Sequence, residues 1–157
     1  MTDNAAVITR FYEAFSRRDA EAMAACYAPD VHFSDTAFPD LHGDEARNMW
    51  RMLVSRGKDL VVEFRDVSAA GEHGQAHWDA TYTFMATGKK VVNRIDARFT
   101  FRDGLIVRHV DTFDFAAWSG QALGLVGKLF GRTRWLQRMV QGRADKELRR
   151  YAERHRA

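Results

Sequence analysis

The chain has 157 residues, 46% of them hydrophobic and 29% charged, with two prolines and a single cysteine. That length suits one domain with a real core, and one cysteine excludes an intrachain disulfide and a zinc cluster built on thiolates. The formal net charge of +3 is uneven: from Lys128 onward there are ten Lys and Arg against three Asp and Glu, so the basic character belongs to the tail and the rest is mildly acidic.

In chain order, residues 5–17 are predicted as a helix, with Ile8, Phe11, Tyr12 and Phe15 on one stripe and Asp3 or Asn4 as its cap. Asp19 caps a second, short helix over 20–27, ended by Ala28-Pro29-Asp30. Cys26 reads as a small residue of an apolar helical run. Residues 31–36 form a strand on which Val31, Phe33 and Asp35 share a face. A loop with Pro39 and Gly43 precedes a third helix over 44–56, with Ala46, Met49, Trp50, Leu53 and Val54 as its buried stripe and Gly57 as its stop.

Strands follow over 60–69, 75–86, 91–101 and 105–113. Short turns join them, the strongest being Asp103-Gly104. Helices first and an antiparallel meander later give the class α+β. Trp78, Tyr82 and Phe84 alternate with polar residues on one strand. On the next, Ile95, Ala97, Phe99 and Phe101 alternate with Arg94, Asp96, Arg98 and Arg102. Asn93 falls on the apolar face. On the last strand Leu105, Val107, His109, Asp111 and Phe113 are expected on one face, which places an imidazole and a carboxylate among apolar neighbours. After residue 115 the segment punctuated by Gly120, Gly124, Gly127 and Gly131 reads as short helices, followed by a charged helix over 137–154.

Asp35, Asn93, His109 and Asp111 are thus the polar members of apolar faces. If those faces line one cavity, they are the convergent polar groups of an apolar pocket. Apolar walls disfavour the charged form of a carboxyl and tune it to exchange a proton with a carbon acid near neutral pH. In this division Asp111 is the acid/base, His109 polarises a carbonyl or relays a proton, and Asp35 orients or shares the proton. Phe11, Tyr12, Phe33, Trp78, Tyr82 and Phe99 shape the cavity for a small apolar molecule. The same residues also admit a structural reading: Asp111 accepting from Tyr12 or Tyr82, and His109 as a satisfied core histidine. His32, His42, His73 and His77 are scattered without ligand spacing, so no metal is expected; no Gly-rich phosphate loop follows a strand, and no cofactor is expected.

The order of helices, the segment Ala-Pro-Asp-Val-His-Phe-Ser-Asp and the ending Phe-Arg-Asp-Gly-Leu-Ile-Val-Arg-His-Val-Asp-Thr-Phe-Asp resemble the nuclear transport factor 2-like (NTF2-like) superfamily. Within it the SnoaL-like polyketide cyclases are the nearest subgroup, with ketosteroid isomerases and limonene epoxide hydrolases as relatives. The resemblance covers about residues 5–115. It implies a cone: a strongly curved sheet wrapped over three helices around a deep apolar pocket, commonly as a homodimer. It places Asp35 where ketosteroid isomerases carry their general base. Phe11 stands where they carry an oxyanion-hole tyrosine, and Ala97 where they carry a protonated aspartate. Asp111 matches the last-strand carboxylate of the epoxide hydrolases, but Trp78 and Ala80 replace their Arg and second Asp. The cyclases' acid/base aspartate falls at about Asp111.

The resulting expectations are an NTF2-like domain over 1–115, with a basic helical extension over 116–157 packed on it. The function expected is cofactor-free acid/base chemistry, as an isomerase, cyclase or hydrolase of an apolar carbonyl compound, or else a non-catalytic ligand-binding module or scaffold. A homodimer through the outer sheet face and a cytoplasmic location are expected, with no nucleic-acid partner and no stable membrane insertion. Leu123, Leu125, Val126, Leu129, Phe130 and Trp135 are expected to lid the cone mouth.

Overall fold

The computed structural model describes residues 3–156. Three helices open the chain: α1 (Asn4–Ser16), α2 (Ala20–Ala25) and, after two strands, α3 (Asp44–Arg56). Asp3 caps α1 by accepting from the Ala6 amide at 3.1 Å, and Asp19 caps α2 through Ala22 at 3.0 Å. The apolar stripe of α1 is buried as its spacing predicts, from Val7 to Phe15. On α3 the buried residues are Ala46, Met49, Trp50 and Met52, while Leu53 is turned outward.

Six strands form one sheet in the order β2-β1-β6-β5-β4-β3. They are β1 (Tyr27–Ser34), β2 (Leu41–His42), β3 (Val61–Ala70), β4 (His73–Phe84), β5 (Lys89–Arg102) and β6 (Leu105–Thr112). From β3 to β6 the sheet is the expected antiparallel meander. The strand β1 joins its edge parallel to β6, because the intervening chain carries it to the far side of the last strand. The short edge strand β2 lies in the stretch expected as loop. Asp103 and Gly104 both take positive φ, 53° and 78°, as a tight two-residue hairpin requires.

Two irregularities bend this sheet. One lies in β3 between Arg65 and Ser68, where Asp66 has φ 58°. The other lies opposite Thr100 and Phe101, where Val107 is left unpaired on β6. An extra residue in one strand increases twist and bends the sheet. The second bulge also corrects the expected alternation. Across it the inward positions are Ile106, His109 and Asp111, so Val107 does not share their face.

The concave face packs on α1 and α3 through an aromatic core. Phe15 meets Trp50 and Trp78 edge-on at 5.1 and 5.3 Å, and Phe11 meets Trp50 at 5.6 Å. The convex face carries the polar alternates, among them a chain in which Arg65 donates to Asp79 (2.9 Å) and His77 bridges Asp79 and Asp96 (2.8 and 2.9 Å).

Beyond β6 the chain forms α4 (Phe115–Leu123), α5 (Leu125–Phe130) and α6 (Arg134–Arg154). Phe115, Trp118, Ala122 and Leu136 bury against Val91 of β5. Leu148 and Tyr151 of α6 join the main core. The expected lid differs from the observed one. Leu125, Val126, Leu129, Phe130 and Trp135 are exposed, because buried Gly127 and Gly131 turn the other side of α5 inward.

Candidate functional site

His109 projects from β6 into the centre of the aromatic core and is fully buried. Its ring lies 4.4 Å from that of Phe99, 5.0 Å from Phe33 and 5.5 Å from Phe11, with Trp50 stacked at 6.0 Å. An imidazole in such surroundings is costly unless both nitrogens are paired. Both are. Tyr27 Oη lies 2.8 Å from Nδ1, and Asp111 Oδ1 lies 2.8 Å from Nε2.

The network assigns the tautomer. Trp50 Nε1–H donates to Tyr27 Oη at 2.7 Å. The hydroxyl, already accepting there, is free to donate to His109 Nδ1. His109 then carries its proton on Nε2 and donates it to Asp111. The result is a directed chain, Trp50 to Tyr27 to His109 to Asp111, that ends on a carboxylate only 5% exposed. Burial drives the Tyr27 hydroxyl pKa well above the ordinary tyrosine range. The Trp50 hydrogen bond opposes this, and the charge of Asp111 adds to it.

Sequence reasoning misses Tyr27 and Trp50 as site residues. Their signal is present: a buried Tyr and a buried Trp each carry a polar group that needs a partner, and a buried His supplies one. Periodicity hides both, because it places Tyr27 at a helix end and Trp50 in a packing stripe.

Two more polar groups adjoin this chain. Tyr12 is fully buried, and Trp78 is 5% exposed. Their rings lie 5.9 Å apart, yet Tyr12 Oη and Trp78 Nε1 are both buried without a hydrogen-bond partner among the described residues. Burial first, and then the Asp111 charge, raise the Tyr12 pKa well above its usual value. Buried polar groups are almost always satisfied, and an exception calls for an explanation, a catalytic role among them.

Asp35 lies just beyond β1 rather than on it. Its carboxylate accepts from the Phe38 amide at 2.7 Å while its own amide donates to the Phe38 carbonyl at 2.9 Å, closing a tight turn. It retains a partly open side. Burial nevertheless pushes its pKa up to about 7, against the Phe38 hydrogen bond and with help from the Asp111 charge. Tyr82 accepts from Trp118 Nε1 at 2.8 Å, and its pKa is raised by burial and by the Asp35 charge. Asp35, Tyr82 and Trp118 thus stand on the Asp111 side of the core. Gln141 of α6 donates to the Thr36 carbonyl at 3.0 Å and ties the tail to this turn.

The aromatic residues expected to line a cavity are brought together. Phe11, Tyr12, Phe33 and Phe99 are at most 2% exposed; Phe11, Tyr12 and Phe99 pack against one another, and Phe33 packs on Trp50 and His109. Asn93 sits apart on β5, opposite Ala80, at the edge of a surface hollow of about 440 Å³ that Asp114, Ala117 and Gln121 also line. A larger hollow of about 660 Å³ lies between α4 and α5. Neither reaches His109 or Asp111.

The scattered histidines are not all isolated. His32 and His42 face each other across β1 and β2, stacked at 4.5 Å, and their Nε2 atoms lie 2.6 and 2.8 Å from Asp40 Oδ1. The three residues offer ligand atoms within 4.8 Å of one another at the sheet edge.

Residues 8–109 match the SnoaL-like domain family. No curated protein sequence matches the chain. Among solved structures, a candidate polyketide cyclase from Silicibacter sp. is similar with a TM-score of 0.67 and 21% identity, over 76% of this chain and 94% of that one. A protein with a ketosteroid isomerase-like fold from Catenulispora acidiphila, in complex with trimethylamine, gives 0.66 and 15%, over 78% and 95%. TerC, co-crystallized with polyporic acid, gives 0.64 and 20%, over 75% and 96%. At these identities the likeness is one of fold.

Proposed function

The chain belongs to the SnoaL-like domain family, and on that premise we propose that it binds a small apolar carbonyl compound and moves a proton on it, with Asp111 as the acid/base. One observation carries this reading. The buried His109–Asp111 pair ends a directed hydrogen-bond chain beside two buried groups without partners, Tyr12 Oη and Trp78 Nε1. Under this reading the substrate's carbonyl oxygen accepts from those two donors and its α-carbon lies at Asp111. Donors aimed at the oxygen on which charge develops are the larger part of such catalysis. The proton leaves the α-carbon for the Asp111 carboxylate and returns from it, so no oxidant, reductant or cofactor is consumed. His109 holds that carboxylate by donating from Nε2, and Tyr27 and Trp50 fix the ring that does so. A proton moved in this way serves isomerisation or cyclisation through an enolate, whereas hydrolysis would have Asp111 take its proton from an attacking water instead.

This reading requires a ligand to enter from the Asp111 side, where Asp35, Tyr82 and Trp118 stand. Asp35, with a pKa of about 7, is suited to share the proton near neutrality. The ligand-bound fold relatives, with polyporic acid and trimethylamine, support small-molecule occupancy of this scaffold. The homodimer implied by the resemblance would use the convex face, where the Arg65–Asp79–His77–Asp96 chain lies.

A second reading is favoured by one feature. His109 is enclosed by four aromatic rings, and by the resemblance Phe11 stands where a ketosteroid isomerase would carry a phenol. Under it the protein holds its ligand without converting it. A panel of apolar ketones, followed by native mass spectrometry for retention and by proton NMR in deuterium oxide for α-exchange, separates the two. Retention with exchange supports catalysis, and retention alone supports the binding module. Neither retention nor exchange by any ketone would count against both.

A further inference from the structure

The C-terminal helices carry a surface that the candidate site does not use. Six large apolar side chains between residues 125 and 139 face solvent: Leu125 (71% exposed), Val126, Leu129 (66%), Phe130, Trp135 (54%) and Met139. On α5 the four apolar positions fall within one side of the helix, opposite the Gly127 that packs on α4. Trp135 and Met139 are one turn apart on α6. Phe130 and Trp135 meet edge-on at 5.6 Å, which joins the two helices' exposed residues into one patch. An exposed contiguous apolar patch marks an interaction site.

The charge around it says what covers it. From residue 115 to 144 the chain contains five Lys or Arg and no Asp or Glu. Lys128, Arg132, Arg134 and Arg138 are exposed, and none of the four forms an ion pair among the described residues. A second copy docking on the same face would set these cations against their own counterparts. A nucleic acid would leave Leu125, Leu129 and Phe130 in contact with phosphate. A surface that offers anionic headgroups above an apolar layer matches both components at once.

We propose that α5 and the first turns of α6 form a peripheral docking surface for an anionic lipid bilayer. The apolar side chains enter the headgroup–acyl boundary and the four cations meet the headgroups. Trp135 sits at the interface, where indole rings are favoured. No helix among the described residues is long and apolar enough to cross a membrane, so the association is superficial and reversible. The geometry is independent of His109 and Asp111.

The fold supplies its own reporter. Of Trp50, Trp78, Trp118 and Trp135, only the last is exposed. The full chain should cosediment with vesicles of phosphatidylcholine and phosphatidylglycerol, but not with phosphatidylcholine alone. Binding should shift the tryptophan emission to the blue and weaken as salt is raised. Trp135→Phe should still bind and lose the shift. Arg134→Gln with Arg138→Gln should weaken binding about 25-fold, at about fivefold per cation removed. Leu129→Ser with Phe130→Ser should abolish it. All these positions are exposed, so the variants should keep the parent circular dichroism. The proposal is overturned by equal binding to neutral vesicles, or by no binding to either. A vesicle-silent protein whose Leu129→Ser/Phe130→Ser variant turns a dimer into a monomer would assign the patch to a second copy. Binding of a nucleic acid that this variant leaves unchanged, with no vesicle binding, would assign the cations to that ligand.

Discussion

Tyr27 is the residue on which the buried chain turns, since it accepts from Trp50 and donates to His109. Tyr27→Phe keeps the ring and its stacking on Phe11 at 5.5 Å but leaves an indole N–H and an imidazole nitrogen unpaired in the core. A buried unsatisfied group costs roughly 1–3 kcal/mol, so a loss of about 2 kcal/mol or more is expected in urea denaturation. Asp35 gives a second prediction, in pH. Its pKa in the folded chain is about 7, against an ordinary carboxyl value of 3.8 in the unfolded chain. Between those values the folded state holds the extra proton, so Asp35 favours folding below pH 4 and that contribution is lost as pH rises to about 7. Asp35→Asn keeps an oxygen for the Phe38 amide and removes the titration. Its melting temperature should gain on the parent's progressively from about pH 4 to about pH 7 and level off above. A constant difference across that range would show that Asp35 titrates normally.

The elements that are legible in the sequence are those whose local signals agree. The stripe of α1, the caps Asp3 and Asp19, the Asp103-Gly104 hairpin and the alternation of β4 and β5 all reappear in the structure. What is not legible depends on pairing between distant segments. The bulge at Val107 is set by where β5 and β6 come into register, and strand β2 exists because Leu41 and His42 pair with Phe33 and His32 of β1. The polar set on the β6 face is readable, since His109 and Asp111 stand on the far side of the bulge. Its partners are not, because Tyr27 and Trp50 arrive from other elements. By propensity the glycines of the tail only weaken helices, and the fold shows their use. A Cβ on Gly127 would lie 1.8 Å from the Ser119 carbonyl oxygen, so α5 approaches α4 only without a side chain there. Gly127→Ala should cost about 1–3 kcal/mol as overpacking, despite the better helix propensity of Ala. Faster amide exchange in α5 and α4, with β5 and β6 unchanged, is the expected signature. Unaltered exchange in α5 would show that the contact is looser than the geometry implies.

Across the whole molecule, the tail and the cone share one core. Leu148 and Tyr151 of α6 join the main core on the α3 side, while Tyr82 and Phe113 touch both apolar clusters. The extension should therefore unfold with the cone in a single calorimetric transition, and two resolved transitions would show separate units. The same architecture places the polar chain in the aromatic core and Asp111 at its outward end, beside a turn held by α6. Rigid support of a reacting group is what proton transfer requires. The most direct measurement is deuterium incorporation at the α-carbon of bound apolar ketones, followed by NMR for the parent and for Asp111→Asn. The carboxamide oxygen introduced by that substitution can still accept from His109 Nε2, so the variant should fold. Exchange by the parent, slowed about 100-fold or more in Asp111→Asn, is the expected result for a general base. Equal exchange rates in the two proteins would contradict the assignment of Asp111.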